Sequence, residues 1–359
     1  MGYWKNKRNE LIEKLPTIMD VLDRLSYGEE KWALDKSPFR LLFPSYAQDG
    51  LFEIVPGPEG KDRLIPCSLS FNCYYRGESG YHKPCRPSLY RKGMDAEHIF
   101  HECLKACELE LLISDYPLTK IFDSGLQITL RNGSIYPLKL SIDAEALAQH
   151  YGIKTDLLDL TVDKFVAAFF ATTRYKDGKY YPIEPKDPEY GVIYMYSDFP
   201  FDGKDMYSQH MRVVGLQPFS RPGEQAGFVL RLGPEDDFRK KACQKIKFRQ
   251  DKDMSWLIFN YTNRSGKLFS KSILEKKANI IINSKFYSKQ ALELCKSRYY
   301  PDVELDELKS YIDKLHLKIK NHPPVKFTEV EKRNVIKEWD ESGFDEFRKK
   351  VIWRETFKA

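Results

Sequence analysis

Residues Gln149 to Thr172 read QHYGIKTDLLDLTVDKFVAAFFAT, a run of polar, turn-forming groups set directly before an apolar segment. In the second half Phe165, Val166, Phe169 and Phe170 recur at helical offsets with Ala167, Ala168 and Ala171 between them, which predicts a tightly packed core helix. Thr161 is the expected N-cap, with Asp163 favoured in the first turn. Ahead of that cap stand His150, Tyr151, Gly152, Lys154, Thr155, Asp156 and Asp159, more functional groups than a loop into a buried helix requires. A polar loop anchored by a buried helix is the expected place for a site.

Outward from this stretch, helical and strand patterns alternate. Upstream, Asp95–Ser114 carries helical periodicity, Phe71–Tyr75 reads as a strand with Arg76-Gly77 at its C-terminal end, and Asn132-Gly133 splits two alternating segments as a hairpin turn would. A helix from Trp4 to Leu25, bent or restarted at Pro16, precedes an irregular segment, Pro38–Glu59. Ala144–His150 is a short helix, Tyr180–Glu189 with its prolines a loop, and Val192–Tyr196 and Phe228–Leu232 are strands. The pattern predicts an α+β fold, a mixed, mostly antiparallel sheet with flanking helices. From Asp251 helical patterns cover Lys285–Cys295, Leu305–Ile319, Val330–Trp339 and Phe344–Trp353. The expected organisation is an N-terminal helical and irregular segment (1–60), a core domain (61–250) and a basic, mainly helical C-terminal unit (251–359).

The 359 residues are 42% hydrophobic and 14% aromatic, ample for a sizeable core. No apolar run is long enough to span a bilayer and MGYWKNKRNELIEKL lacks a signal-peptide core, so a cytoplasmic protein without a membrane partner is expected. Seven scattered cysteines fit reduced thiols. The net charge of +6 is uneven: from Arg264 onward 22 Lys and Arg stand against 15 Asp and Glu, or +7, leaving −1 for the remainder. That excess is either a solvated helical surface or a basic face for nucleic acid or an acidic partner.

Arg76 offers a planar fork of donors to phosphate or carboxylate, and Gly77 would let a ligand approach the backbone; alternatively Arg76 pairs with an acid of the chain such as Asp159. His150 and Tyr151 offer an imidazole for a ribose hydroxyl and a flat face for a ring, or else His150-Tyr151-Gly152 is a helix stop. Glu224-Gln225-Ala226-Gly227 stands before a strand and supplies a carboxylate for glycosidic chemistry, or a simple turn; Asp159 is the other candidate acid. His98 and His101 are three apart, so the HExxH zinc pattern is not met and no metal site is expected, and neither GxGxxG nor GxxxxGK[ST] occurs.

The run QHYG, then LLD and T, then an alanine- and phenylalanine-rich helix resembles the signature of the FRG domain, a bacterial family named after a Phe-Arg-Gly tripeptide. Tyr75-Arg76-Gly77-Glu78 is similar to that tripeptide, Pro87-Ser88-Leu89-Tyr90-Arg91 to the motif that follows it, and Arg221-Pro222 with Gln225-Ala226-Gly227-Phe228 to its closing element. Asp156 stands where the family more often has Arg, and Leu160 where it more often has Trp. The Tyr-Arg-Gly strand end also resembles the opening motif of some ADP-ribosyltransferases. That resemblance implies an ADP-ribosyltransferase-like core, NAD as substrate, and NAD contacts from Arg76, Gly77, His150, Tyr151, Asp159 and Thr161. It further implies catalysis by Glu224, Gln225 and His150, although that superfamily often closes on Gln-x-Glu and here Glu224 precedes Gln225. The implied function is ADP-ribosylation of a macromolecule, with nucleic acid as acceptor, by a toxin of a toxin–antitoxin or phage-defence system that an antitoxin protein would restrain. The alternative is a non-catalytic ligand- or partner-binding module.

Overall fold

The computed structural model describes residues 2–35, 52–56, 60–66, 73–91, 93–129, 135–140, 142–197, 211–214, 225–262, 264–269, 272–345 and 347. Glu224, the Arg221-Pro222 pair, the Asn132-Gly133 turn and most of the irregular segment before residue 60 lie outside the described residues, as does the chain end from 348.

In chain order the first half contains α1 (Gly2–Glu13), α2 (Ile18–Asp35), β1 (Phe52–Pro56), β2 (Asp62–Pro66), β3 (Cys73–Glu78), α3 (Ala96–Ser114), α4 (Pro117–Ser124), β4 (Leu126–Thr129), β5 (Ile135–Leu138), α5 (Ala144–His150), β6 (Leu157–Thr161) and α6 (Lys164–Thr172). The second half adds β7 (Thr173–Lys176), β8 (Lys179–Pro182), β9 (Tyr190–Ser197), β10 (Met211–Val213), β11 (Gly227–Arg231), α7 (Phe238–Lys241), β12 (Gln244–Arg249), α8 (Lys252–Thr262), α9 (Ile273–Ile282), β13 (Phe286–Ser288), α10 (Lys289–Tyr299), α11 (Leu305–Lys314), β14 (Lys318–Lys320) and α12 (Glu329–Glu338).

The centre is a six-stranded sheet in the order β10-β11-β6-β3-β9-β12, with each neighbouring pair antiparallel. The expected α+β class with a mostly antiparallel sheet is what the chain adopts. Strand side chains alternate between faces, so the successive residues Tyr74 and Tyr75, and again Val192 and Ile193, enter different cores. On one face α6 lies across β3, joined by Ile18, Val21 and Leu22 of α2 and Ile258 of α8. On the other, Phe100 and Leu104 of α3 share a core with Leu147 of α5 and, further along the chain, with Leu292, Leu308 and Ile312. One hydrophobic cluster therefore runs from the sheet into the helices after residue 272. Phe169 of α6 is fully buried, and such a side chain contributes roughly 1.5–3 kcal/mol.

Several local expectations are corrected. LLDLT is strand β6, near the middle of the sheet, and not part of a loop. The helix after it begins at Lys164, and its cap is Asp163, whose Oδ1 accepts from the Phe165 and Val166 amides; Thr161 is the last strand residue. Thr161 stays in the ladder opposite Gly227 and Tyr75, and its hydroxyl, which donates to the Gln225 carbonyl (2.8 Å), accepts from the amide of Asp163 itself (3.0 Å) and not from a helical residue. Arg76 sits within β3, opposite Tyr194 of β9, and not at a strand end. Tyr180–Pro182, the start of the expected Tyr180–Glu189 loop, belongs to β8, which pairs with β7 around Asp177-Gly178, both with positive φ (50° and 78°), the geometry of a type I′ hairpin turn. Among the later helices, the expected spans from Lys285 and to Ile319 each give up one end to a short parallel ladder, β13 with β14.

Candidate functional site

Asp159 is the point where the polar residues of the signature stretch meet. It lies on β6 between β3 and β11, opposite Val229, with its side chain 41% exposed. Three groups from two other elements reach it. Gln149, in the last turn of α5, donates Nε2 to Oδ2 (2.9 Å), and Nε2 of the next residue, the buried His150, stands 3.7 Å from Oδ1. Arg76 of β3 donates Nη1 to the Asp159 backbone carbonyl (2.9 Å). Gln149 is itself oriented by Thr155, whose hydroxyl donates to its Oε1 (2.8 Å) and accepts from the Leu157 amide (3.2 Å).

Arg76 does not stand open. Its Nε donates to Glu78 Oε1 (3.1 Å), two residues along the same strand and hence on the same face, and the Cys85 thiol donates to that oxygen (3.2 Å). Burial alone would lower the pKa of Arg76, but the charges of Glu78, Cys85 and Asp159 more than offset it and the net shift is upward, so the guanidinium stays charged. Burial pushes the Cys85 thiol up to about 12, which keeps it neutral and a donor.

A second guanidinium shares this field. Arg91 follows the 3₁₀ turn Ser88–Tyr90, is exposed, and donates Nε to the Arg86 carbonyl (3.2 Å). Desolvation of its guanidinium lowers its pKa first, and the like charge of Arg76 lowers it further, against the pull of Glu78, Cys85 and Asp159. The Arg76 guanidinium, one carboxylate pair and an imidazole, with the charge of Arg91 felt among them, can receive an anion or a hydroxyl-rich ligand. Sequence reasoning assigned no role to Glu78, Arg91 or Gln149. Strand alternation points to Glu78, whereas the influence of Arg91 on the β3 charges has no local sequence signature.

The remaining expected site residues are placed as follows. Gly77 is a glycine because of helix packing: a Cβ there would fall 1.7 Å from the Ala167 carbonyl oxygen and 2.9 Å from the Ala171 nitrogen, so the close approach it permits is that of α6. Tyr151 is buried, and its hydroxyl lies 3.3 Å from the Ser272 hydroxyl, away from Asp159. Gly152, with φ of 94°, ends α5, the Ile153 amide reaching back to the Ala148 carbonyl (3.0 Å). Gln225 is buried next to Ala226, a non-glycine residue at φ 44°, and donates Nε2 to the Leu268 carbonyl (2.8 Å). The structure thus gathers Arg76, His150 and Asp159, and joins Thr161 to Gln225 at the neighbouring end of β6 and β11.

Asp156, where the resemblance marks a departure, belongs to a separate ionic network. Arg231 bonds both Asp156 and Glu145, and Arg212 bonds Glu145 (2.8 Å) and Asp143 (3.0 Å). Burial raises the pKa of Asp156 and Asp143 against the pull of these arginines, while for Glu145 the two guanidiniums outweigh burial and lower it. Among the described residues no helix is long and apolar enough to cross a membrane.

No curated protein and no solved structure matches the chain. The family model described as the FRG domain matches residues 71–179, the stretch that contributes Arg76, Glu78, Arg91, Gln149, His150 and Asp159 as well as the α6 helix packed across β3.

Proposed function

We propose that this chain is an ADP-ribosyltransferase that takes NAD as donor and modifies a macromolecule, nucleic acid being the acceptor, as the toxin of a toxin–antitoxin or phage-defence system. The observation that supports the proposal is the meeting of Arg76 of β3 and His150 of α5 at Asp159 of β6, with the charge of Arg91 felt by the same groups. A pyrophosphate needs a cationic donor, which Arg91 supplies, while Arg76, held by Glu78, adds its positive charge from beneath. Breaking the bond between ribose and nicotinamide builds positive charge on the sugar, which a half-exposed carboxylate at Asp159 stabilises. Nicotinamide leaves with the bonding electrons, the acceptor atom bonds to the ribose carbon, and the acceptor's proton passes to the His150 and Asp159 pair. The basic C-terminal quarter would hold a nucleic-acid backbone.

A second reading, a binding module without chemistry, is favoured by the internal pairing of Arg76 with Glu78. Incubation with adenylate-labelled NAD and RNA, DNA or protein separates the two. Wild type should transfer label, and Asp159→Asn should lose on the order of 10²-fold of the rate, the usual weight of one electrostatic stabiliser. Label that is retained by the chain but never transferred supports the binding module, and label that neither binds nor moves removes both.

A further inference from the structure

A cavity of about 160 Å³ lies between α3, α5, residues 154–156 and the end of α10. We propose that this cavity, lined by Tyr90, Cys103, Glu145, Asp156, Tyr299 and Tyr300, binds a single-ring heterocycle whose edge carries an N–H donor beside an acceptor.

Size sets the first limit. An apolar cavity near 150 Å³ holds a benzene-sized molecule, so one ring with a small substituent fits and a dinucleotide does not. Composition sets the second. Leu89, Ile99 and Ala106 with the tyrosines supply apolar and aromatic wall, so the ligand is flat and largely apolar.

Hydrogen bonding sets the third. Both oxygens of Glu102 are already engaged, by Lys105 (2.8 Å) and by the Lys154 amide (2.9 Å), and Glu145 is taken up by Arg212, Arg231 and the Tyr299 hydroxyl (3.2 Å). Asp156 differs. Arg231 takes Oδ2, while Oδ1 is buried without a hydrogen-bond partner. A buried carboxylate oxygen left unmet is costly and calls for a donor. Tyr90 also lines the cavity, and burial first, then the Asp156 carboxylate, raise its pKa, so the phenol stays protonated and able to donate to a ligand acceptor. In the adjoining network the three carboxylates Asp143, Glu145 and Asp156 face two guanidiniums, Arg212 and Arg231, so an added N–H is welcome and an added anion is not.

A primary carboxamide on a ring and an aminopyrimidine share this edge, and nicotinamide and cytosine are the two sources to compare. The pocket also touches the candidate site. Thr155 lines it and orients Gln149, which holds Asp159, so a bound ring would stiffen that chain of bonds.

The test is titration of the full chain, followed by calorimetry or NMR, with nicotinamide, cytosine and nicotinic acid and without NAD turnover, so that it stands apart from the transferase proposal. Saturable binding of nicotinamide or of cytosine is expected, and which of them binds identifies the source. Nicotinic acid, a carboxylate of the same size, should bind about tenfold more weakly or worse, a factor worth ~1.4 kcal/mol. Ala106→Leu, which fills the cavity, should weaken binding at least about tenfold by the same measure. Should that variant misfold on melting analysis, Tyr90→Phe removes only a hydroxyl and should weaken binding roughly fivefold. Ordered water alone in the cavity, equal affinity for nicotinic acid, or affinity unchanged by the variant that folds would each overturn the proposal.

Discussion

Gly77 offers the sharpest test of how the site is built. If glycine is required there for a ligand to reach the backbone, Gly77→Ala should leave the fold intact and impair binding alone. The geometry says otherwise. The added Cβ would sit 1.7 Å from the Ala167 carbonyl oxygen and 2.7 Å from its carbon, both backbone atoms of α6, which cannot swing aside as a side chain can. Restoring a tolerable 3.0 Å requires α6 and β3 to part by 3.0 − 1.7 = 1.3 Å. That separation opens the packing of Val166, Phe169 and Ala171 against Tyr75 and Ile193. Overpacking in cores costs typically ~1–3 kcal/mol, and a backbone clash of this size belongs at or above about 3 kcal/mol. For a cooperative unit of 150–250 residues this corresponds to a melting point lower by about 6–12 °C. Denaturant and thermal unfolding of wild type and Gly77→Ala measure it directly. A variant that melts within about 1 °C of wild type would refute the packing account and return Gly77 to a ligand-facing role.

Three further outcomes follow from the same geometry. Asp163→Ala should cost about 1 kcal/mol through loss of the α6 cap, whereas a neutral result in urea unfolding would restore Thr161 as the capping residue. Arg231→Met leaves Asp156 and Glu145 short of a partner; allowing for the exposure of the arginine, about 2 kcal/mol is expected, with Asp156→Asn milder and partly compensating in the double variant. Burial lowers the pKa of His101 from 6.5 to about 4. Between those values the unfolded chain binds the proton and the folded one does not, so stability falls as pH drops from about 6.5 toward 4, by at most ~3 kcal/mol. His101→Gln should flatten that slope, and an imidazole found by NMR to titrate near 6.5 would contradict its burial beside Tyr287.

What the sequence made legible was the elements with long periodic patterns. The helices at Ala96–Ser114, Ala144–His150 and Lys164–Thr172 follow from their apolar spacing. LLDLT misled because a short apolar run interrupted by Asp has no period of its own, and only its neighbours β3 and β11 make it a strand. The β7–β8 hairpin was within reach, since Asp177-Gly178 is a turn signal, but the prolines that follow pointed to loop. In the site, Asp159 was a foreseeable partner for Arg76, yet the atom used is its backbone carbonyl and the carboxylate that pairs with the arginine is Glu78. Residue type shows that a charge needs a partner; strand register decides which one it finds.

That difference alters where a ligand would first be met. Arg76 is held by Glu78 at 15% and 7% side-chain exposure, and drawing it out would leave a buried carboxylate with the Cys85 thiol as its remaining hydrogen-bond partner among the described residues. Breaking such a pair costs ~3–5 kcal/mol, more than a new contact to a solvated phosphate returns. Arg91 carries no such pairing penalty: the residue is exposed although its guanidinium is partly desolvated, and its described bond is to a backbone carbonyl, so turning it to an anion strands no carboxylate. On the proposed function, an anion would be received by Arg91, with Arg76 supplying field and position from beneath. Arg91→Ala should weaken anion binding without loss of stability, while Arg76→Ala should lower both together, so of the two arginines the one outside the Tyr-Arg-Gly motif is the cleaner probe of function.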